Sequence, residues 1–162
     1  MAEELKTISL KSNVQLKTRN NPKSIFYIVV KRFFDVVLSL CGLVLLSPVL
    51  LIAALLIFIE DGRPIIYVQT RVGKDKRRFQ MYKLRSMKRN ADQLYEQMKL
   101  AAGEKEVSFK LSDKEDPRIL KTGYYLRKFS IDELPQLINI LKGDMSLVGT
   151  RPPTVEEFEK YQ

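Results

Sequence analysis

The 162-residue chain holds no histidine and a single cysteine, and those two counts narrow the chemistry open to it. Without His there is no Ser-His or Cys-His pair and no His-ligated zinc site. Cys41 alone supports neither a disulfide framework nor a Cys-rich metal site. Any acid, base, nucleophile or metal ligand must therefore be Asp, Glu, Lys, Tyr, Ser or Thr. Cations are plentiful, with 28 Lys and Arg against 19 Asp and Glu and a net charge of +9. Nine of them (Arg71, Lys74, Lys76, Arg77, Arg78, Lys83, Arg85, Lys88, Arg89) fall within nineteen residues that hold one anion, Asp75. Such a run attracts phosphate, whether on nucleic acid, a lipid headgroup or a nucleotide; a solvated basic face is the bland alternative.

The elements that must position these groups can be read in outline. Ile65-Ile66-Tyr67-Val68 reads as a strand, Gly73–Lys76 as a turn and Phe79–Arg85 as a second strand. Positions two apart on a strand share a face, so Lys83 and Arg85 point the same way and suit a diphosphate. Met87–Ala102 has helical periodicity through Ala91, Leu94, Tyr95 and Met98, and residues 103–118 read as an exposed loop. Pro135 must lie in the first turn of the next helix. Asp132 as N-cap puts it at N3, where no hydrogen bond is lost, and is preferred over Ser130 with Glu133 in a capping box. Leu134, Leu137, Ile138 and Leu141 then form the apolar stripe, Gln136 and Asn139 share a polar face, and Gly143 ends the helix.

The apolar residues are unevenly placed. Of the 24 residues from Val36 to Ile59, 20 are hydrophobic. As helix they reach roughly 36 Å, enough for a bilayer core of about 30 Å. A single span is the simple reading, but Pro48 sits at the midpoint, where its missing N–H and ring bend a helix. Ser47 can hydrogen-bond the freed carbonyl. Lys31 and Arg32 precede the block; Arg63 and Arg71–Arg78 follow it, so the positive-inside rule puts both flanks in the cytoplasm. A re-entrant helix-break-helix satisfies that, and one straight span does not. The expected fold is α/β and α-rich: a polar tail (1–24), an interfacial segment and re-entrant membrane helix broken at Ser47-Pro48 (25–61), and a small cytosolic catalytic domain with a short β-hairpin and amphipathic helices (62–162).

Along the chain stand Lys31-Arg32-x-x-Asp35, Ser47-Pro48, Lys83-x-Arg85-Ser86-Met87, Asp116-Pro117-Arg118, Leu126-Arg127, Asp132-Glu133-Leu134-Pro135-Gln136 and Gly143-Asp144-Met145-Ser146-Leu147-Val148-Gly149-Thr150-Arg151-Pro152. From about Lys31 to Pro153 this ordered series resembles the bacterial sugar transferases, the monotopic polyprenyl-phosphate phosphoglycosyl transferases. The resemblance implies a helix broken at Ser47-Pro48 in the bacterial cytoplasmic membrane, with the active site on the cytosolic face. It implies transfer of a sugar-1-phosphate, expected to be a hexose-1-phosphate from a UDP-sugar, to a polyprenyl (undecaprenyl) phosphate, initiating exopolysaccharide, capsule or other glycan assembly, with Mg2+ as cofactor.

By the same resemblance Asp116 matches the attacking aspartate and a metal ligand, with Glu133 beside it in the catalytic set. The expected intermediate is an aspartyl phosphosugar. Residue chemistry agrees, because a carboxylate is a nucleophile that needs no deprotonation at neutral pH. Lys83, Arg85, Arg118, Arg127 and Arg151 are the candidates for gripping phosphate. Asp132, Gln136, Asn139 and Asp144 are expected in supporting roles, with Glu133 and Asp144 steadying the metal or the arginines. Two departures stand out. Asp116-Pro117 replaces the commoner Asp-Glu, leaving Glu115 or Glu133 to compensate, and the chain ends at Gln162, so a truncated catalytic domain is expected. Thr150 in place of a commoner Pro is a mild change. The rival readings are an inactive, truncated relative acting as membrane anchor or assembly partner, and nucleic-acid binding through residues 71–89. The second explains neither the apolar block nor the acidic motifs. The partners expected are UDP-sugar, polyprenyl phosphate and membrane lipid, with a homodimer left open and no nucleic acid.

Overall fold

A computed structural model describes residues 24–101 and 112–160. The expected polar tail (except Ser24) and the first part of the expected loop 103–118 lie outside the described residues. The chain divides into two compact units, residues 1–34 and 35–162. In the first, the described residues are the start of helix α1, where Ile25 and Phe26 are exposed and Phe33 and Phe34 meet edge to face at 5.7 Å.

Helix α1 covers Ile25–Asp61, 37 residues with Pro48 inside. At about 1.5 Å per residue it is on the order of 55 Å long. Among the described residues it is the one helix long and apolar enough to cross a membrane. The break expected at Ser47-Pro48 is corrected here: the helix continues through Pro48, and what fails is one rung of its ladder. The carbonyl four residues before Pro48 belongs to Val44, and the Ser47 hydroxyl donates to it at 2.8 Å. A satisfied carbonyl lets the helix carry on past its proline.

The second unit is built on an antiparallel hairpin, β1 (Ile66–Val72) and β2 (Arg78–Leu84), in a register pairing Tyr67 with Lys83. Both strands overlap the segments read as strands, with β1 running on past Val68 to Val72, and they are joined by a 3-10 turn at Lys74–Lys76. Helix α2 (Ala91–Ala101) starts later than Met87 because residues 86–88 extend instead against 118–120: Met87 bridges Ile119, Lys88 N–H donates to Arg118 O and Leu120 N–H to Ser86 O. Helix α3 (Lys121–Lys128) lies directly on that segment. A Cβ on its Gly123 would sit 2.1 Å from Ser86 O, so only glycine permits the approach. Ala53 and Ile57 of α1 form one core with Leu84, Leu120 and Leu126, which welds the end of the apolar helix to the hairpin and α3.

Helix α4 (Gln136–Lys142) corrects the cap expected at Asp132. Ser130 adopts a left-handed conformation and Ile131–Glu133 form a 3-10 turn, so α4 starts after Pro135, whose fixed φ suits that position. Asp132 is thereby released from capping and buried. The apolar stripe also rotates: Ile140 is buried, Ile138 is exposed and Asn139 is fully buried against β2. Gly143, at φ 92°, ends α4 as expected, with Asp144 N–H reaching back to Asn139 O. Helix α5 (Val155–Lys160) follows a reciprocal cap in which Thr154 N–H donates to Glu157 Oε2 and Glu157 N–H to Thr154 Oγ1.

Candidate active site

At the base of the hairpin a cavity of about 600 Å³ is lined by Lys83, Arg85, Ser86, Arg89, Arg127 and Asp132 among others. The strand argument for Lys83 and Arg85 holds, since both reach it. Arg85 is the buried member, its side chain 7% exposed. Its Nη2 donates to the carbonyls of Asp61 (3.1 Å) and Gly62 (2.9 Å) and lies 3.1 Å from Asp61 Oδ2. Its Nε and Nη1 are buried and meet no acceptor among the described residues. An unsatisfied buried donor costs about 1–3 kcal/mol, more on a charged group, so this guanidinium calls for an anionic oxygen.

Lys83 Nζ donates to Glu133 Oε1 at 2.8 Å, and Arg151 Nη2 approaches the same oxygen at 3.5 Å from an exposed rim. The Lys83 hydrogen bond, backed by the charges of Lys83 and Arg151 and a bond from Gln136, holds the Glu133 carboxyl below its ordinary range against the effect of burial. Asp132 behaves oppositely. Burial pushes its carboxyl up, and the nearby Lys83 and Arg127 only partly offset that.

Asp116 is buried and is not one of the residues that line this cavity; the pairing of 118–120 with 86–88 ties its segment to the lining. Arg118 grips it in a fork, Nε to Oδ1 at 2.9 Å and Nη2 to Oδ2 at 2.7 Å, and the Arg118 N–H adds a bond to Oδ1. Arg118 in turn sits over the Tyr95 ring at 5.1 Å. The Arg118 side-chain bond chiefly, with the charge of Arg127 contributing, holds the Asp116 carboxyl below its usual range despite burial. Arg127 joins the two parts, its Nε bonding Ser86 Oγ at 3.0 Å and its Nη1 bonding Asp113 Oδ1 at 2.9 Å. A carboxylate kept charged beside convergent cations is equipped for phosphoryl chemistry.

Lys83, Arg85, Arg127 and Asp132 thus share one cavity, Lys83, Gln136 and Arg151 cluster on Glu133, and Asp116 with Arg118 adjoins them. Two expected supports do other work. Asn139 accepts from Tyr82 N–H (3.0 Å) and donates to Gln80 O (2.6 Å) and Asp144 Oδ2 (3.2 Å), so it and Asp144 fasten α4 to β2. Ser47 and Pro48 lie within α1, outside the cavity lining. Sequence reasoning passed over Asp61, Ser86 and Asp113. Asp61 had a signal, because an acid in the last turn of a helix opposes the macrodipole and demands a cation.

A closed, all-protein magnesium cage does not fit these residues. Among the described residues no three acidic or thiol groups gather to hold a metal, and both Asp116 oxygens are taken by Arg118.

The sequence model described as bacterial sugar transferase matches residues 26–162. The chain is 47% identical over 135 residues to the galactosyl transferase CpsE of Streptococcus agalactiae serotype III, covering 83% of this chain and 29% of that protein. It is 43% identical over 150 residues to the undecaprenyl-phosphate galactose phosphotransferase of Salmonella typhimurium, covering 90% and 31%. With the UDP-glucose:undecaprenyl-phosphate glucose-1-phosphate transferase of Escherichia coli K12 it shares 40% over 134 residues, covering 83% and 26%. The chain spans less than a third of the length of these three relatives.

Proposed function

The chain belongs to the bacterial sugar transferase family, and from that premise we propose that it transfers a hexose-1-phosphate from a UDP-sugar to undecaprenyl phosphate, opening the assembly of a surface polysaccharide. An Asp116 oxygen attacks the phosphorus that carries the sugar, the bond to the second phosphate breaks, and UMP leaves. An oxygen of the lipid phosphate then attacks the same phosphorus, the aspartyl bond breaks, and the carboxylate is regenerated with the sugar on a lipid diphosphate. The observation that carries this reading is the pair of donors on buried Arg85 that have no partner among the described residues, in a cavity shared with Lys83 and Arg127 and adjoining an Asp116 already held ionised. Lys83, Arg85 and Arg127 would take the diphosphate, and Arg118, moving from Asp116 to a phosphate oxygen, would free the nucleophile. The relatives named for galactose and glucose transfer favour a hexose. Magnesium enters the proposal only as an ion carried in on the diphosphate, the way this cation commonly binds, and no step is derived through it.

In the same proposal α1 enters and leaves the bacterial cytoplasmic membrane by its cytosolic face, bending at Pro48 where Ser47 satisfies the Val44 carbonyl. The test of function is Asp116→Asn in the full chain in membranes, supplied with UDP-hexoses and undecaprenyl phosphate. UMP release and any covalent phosphosugar adduct should vanish while membrane association persists. Near-normal turnover would remove Asp116 from its role.

A further inference from the structure

We propose that Asp61, the last residue of α1, is a positioning residue that aims Arg85 at the substrate's diphosphate, so that the end of the apolar helix forms the back wall of the anion seat. Three oxygens from one turn of chain hold a single nitrogen: Arg85 Nη2 meets Asp61 O, Gly62 O and Asp61 Oδ2, all within 3.1 Å. The other two nitrogens are buried with no partner among the described residues, and Arg85 lines the cavity. A guanidinium is a rigid plane, so fixing one corner from behind fixes where the remaining donors face. The backbone is shaped for this. Gly62 is left-handed, at φ 68°, and its N–H closes on Phe58 O at 2.9 Å, which turns the 61 and 62 carbonyls onto one point. Asp61 Oδ2 also takes the Arg89 N–H at 3.0 Å, tying a second cavity residue to the same carboxylate.

The acid stands where simple electrostatics would not put one. Carbonyls at a helix C-terminus are already negative, and a carboxylate beside an anion site repels its ligand. Its presence is explained if orientation of Arg85 outweighs that repulsion. The neighbouring Glu60 does comparable work for α3, accepting Lys121 N–H at 2.6 Å and Thr122 N–H at 2.9 Å. The last two residues of α1 thus anchor both walls that meet at the cavity.

The inference rests on Arg85 being a phosphate ligand, and the experiment separates the two. UDP binding to the full-length protein in lipid nanodiscs is measured by calorimetry for the parent, Asp61→Ala, Asp61→Asn, Asp61→Glu and Arg85→Ala, beside each protein's ligand-free unfolding temperature. Positioning predicts that Asp61→Ala weakens UDP on the order of tenfold or more, that Asp61→Asn falls between, and that Asp61→Glu restores most of the loss. A merely structural acid would lower the unfolding temperature and leave the affinity of the folded protein intact. Unchanged or tighter UDP binding in Asp61→Ala, with binding lost in Arg85→Ala, overturns the role of Asp61 alone. Unchanged binding in Arg85→Ala overturns the phosphate reading beneath it. Should Asp61→Ala fail to fold, Asp61→Asn, which keeps shape and an acceptor oxygen, decides by the same comparison.

Discussion

The two ends of the β-hairpin carry similar charge and use it in opposite ways. At the tip, cations are answered by the acidic segment that follows Arg151. Arg71 is buried, bonding Gln69 Oε1 and Pro152 O and lying 3.6 Å from Glu157, while Arg78 meets Glu159 and Lys76 sits over the Phe158 ring. At the base, Lys83, Arg85 and Arg89 surround a cavity and share two carboxylates, Glu133 and Asp61, with donors of Arg85 left over. A run of charge in a sequence is therefore not a site. The site is the part of the run whose hydrogen bonds the protein leaves unfinished.

The sharpest way to break that contrast is to remove a base cation. Arg85→Ala deletes charged hydrogen bonds worth about 1.5–3 kcal/mol, so UMP release at subsaturating UDP-hexose should fall on the order of ten- to a hundredfold. A parent-like rate in this variant would make base and tip equivalent and end the comparison.

A tip cation should act on stability instead. Arg71→Met keeps the aliphatic volume but leaves Pro152 O and Gln69 without a donor, at a cost of about 1–3 kcal/mol. The attachment of residues 152–160 to β1 should loosen, read as faster amide exchange at Val72, whose N–H donates to Pro153 O at 3.1 Å. The response of UMP release to UDP-hexose concentration should change far less than in Arg85→Ala, because Arg71 reaches the cavity only through its bonds to Gln69.

Much of this was legible in the sequence, for identifiable reasons. The hairpin followed from two strand-like runs around a turn, though β1 reaches past the first run to Val72; the end of α4 followed from Gly143, and the shared face of Lys83 and Arg85 from the two-residue period of a strand. What the sequence hid was tertiary. Nothing local says that Ser130 turns left-handed, and that turn converts Asp132 from an exposed cap into a buried carboxyl. Nothing in the spacing of Asn139 tells a polar helix face from a clamp on β2, because only the packing of α4 decides which side faces the strand. Pro48 reads as a break, and one hydroxyl on the preceding residue satisfies the carbonyl it frees.

The carboxyls of the base region sharpen the contrast by pH. Glu133 and Asp116 have folded-state pKa values below their unfolded ones, so each contributes stability above the unfolded value that is lost as pH falls through the folded one. Asp132 is raised by burial, so its charged form works against folding at neutral pH and that penalty disappears as pH falls through its folded value. Asp132→Asn should therefore raise the unfolding temperature at pH 7, with the gain shrinking toward acid. Glu133→Gln should lower it at pH 7 and match the parent once Glu133 is protonated. Paired thermal scans across pH 3–8 read both signs, and a gain for Glu133→Gln at neutral pH would contradict the assignment.

The smallest expected effect completes the comparison from the tip. Arg78 and Glu159 approach to 3.6 Å, but both side chains are more than 60% exposed, and water and salt screen such a pair. Pairs of this kind contribute about 0–1 kcal/mol, much of it cancelled by the entropy of holding two long side chains together. Arg78→Ala should leave the unfolding temperature within about 4 °C of the parent, because a domain of this size shifts roughly 2–4 °C per kcal/mol. UMP release should not change, and neither should the response of the rate to UDP-hexose concentration, because Arg78 meets no group that lines the cavity. A drop in nucleotide-sugar use in this variant, comparable to that of Arg85→Ala, would mean that the whole basic run steers the anion by its field. The distinction between finished and unfinished hydrogen bonds would then no longer locate the site.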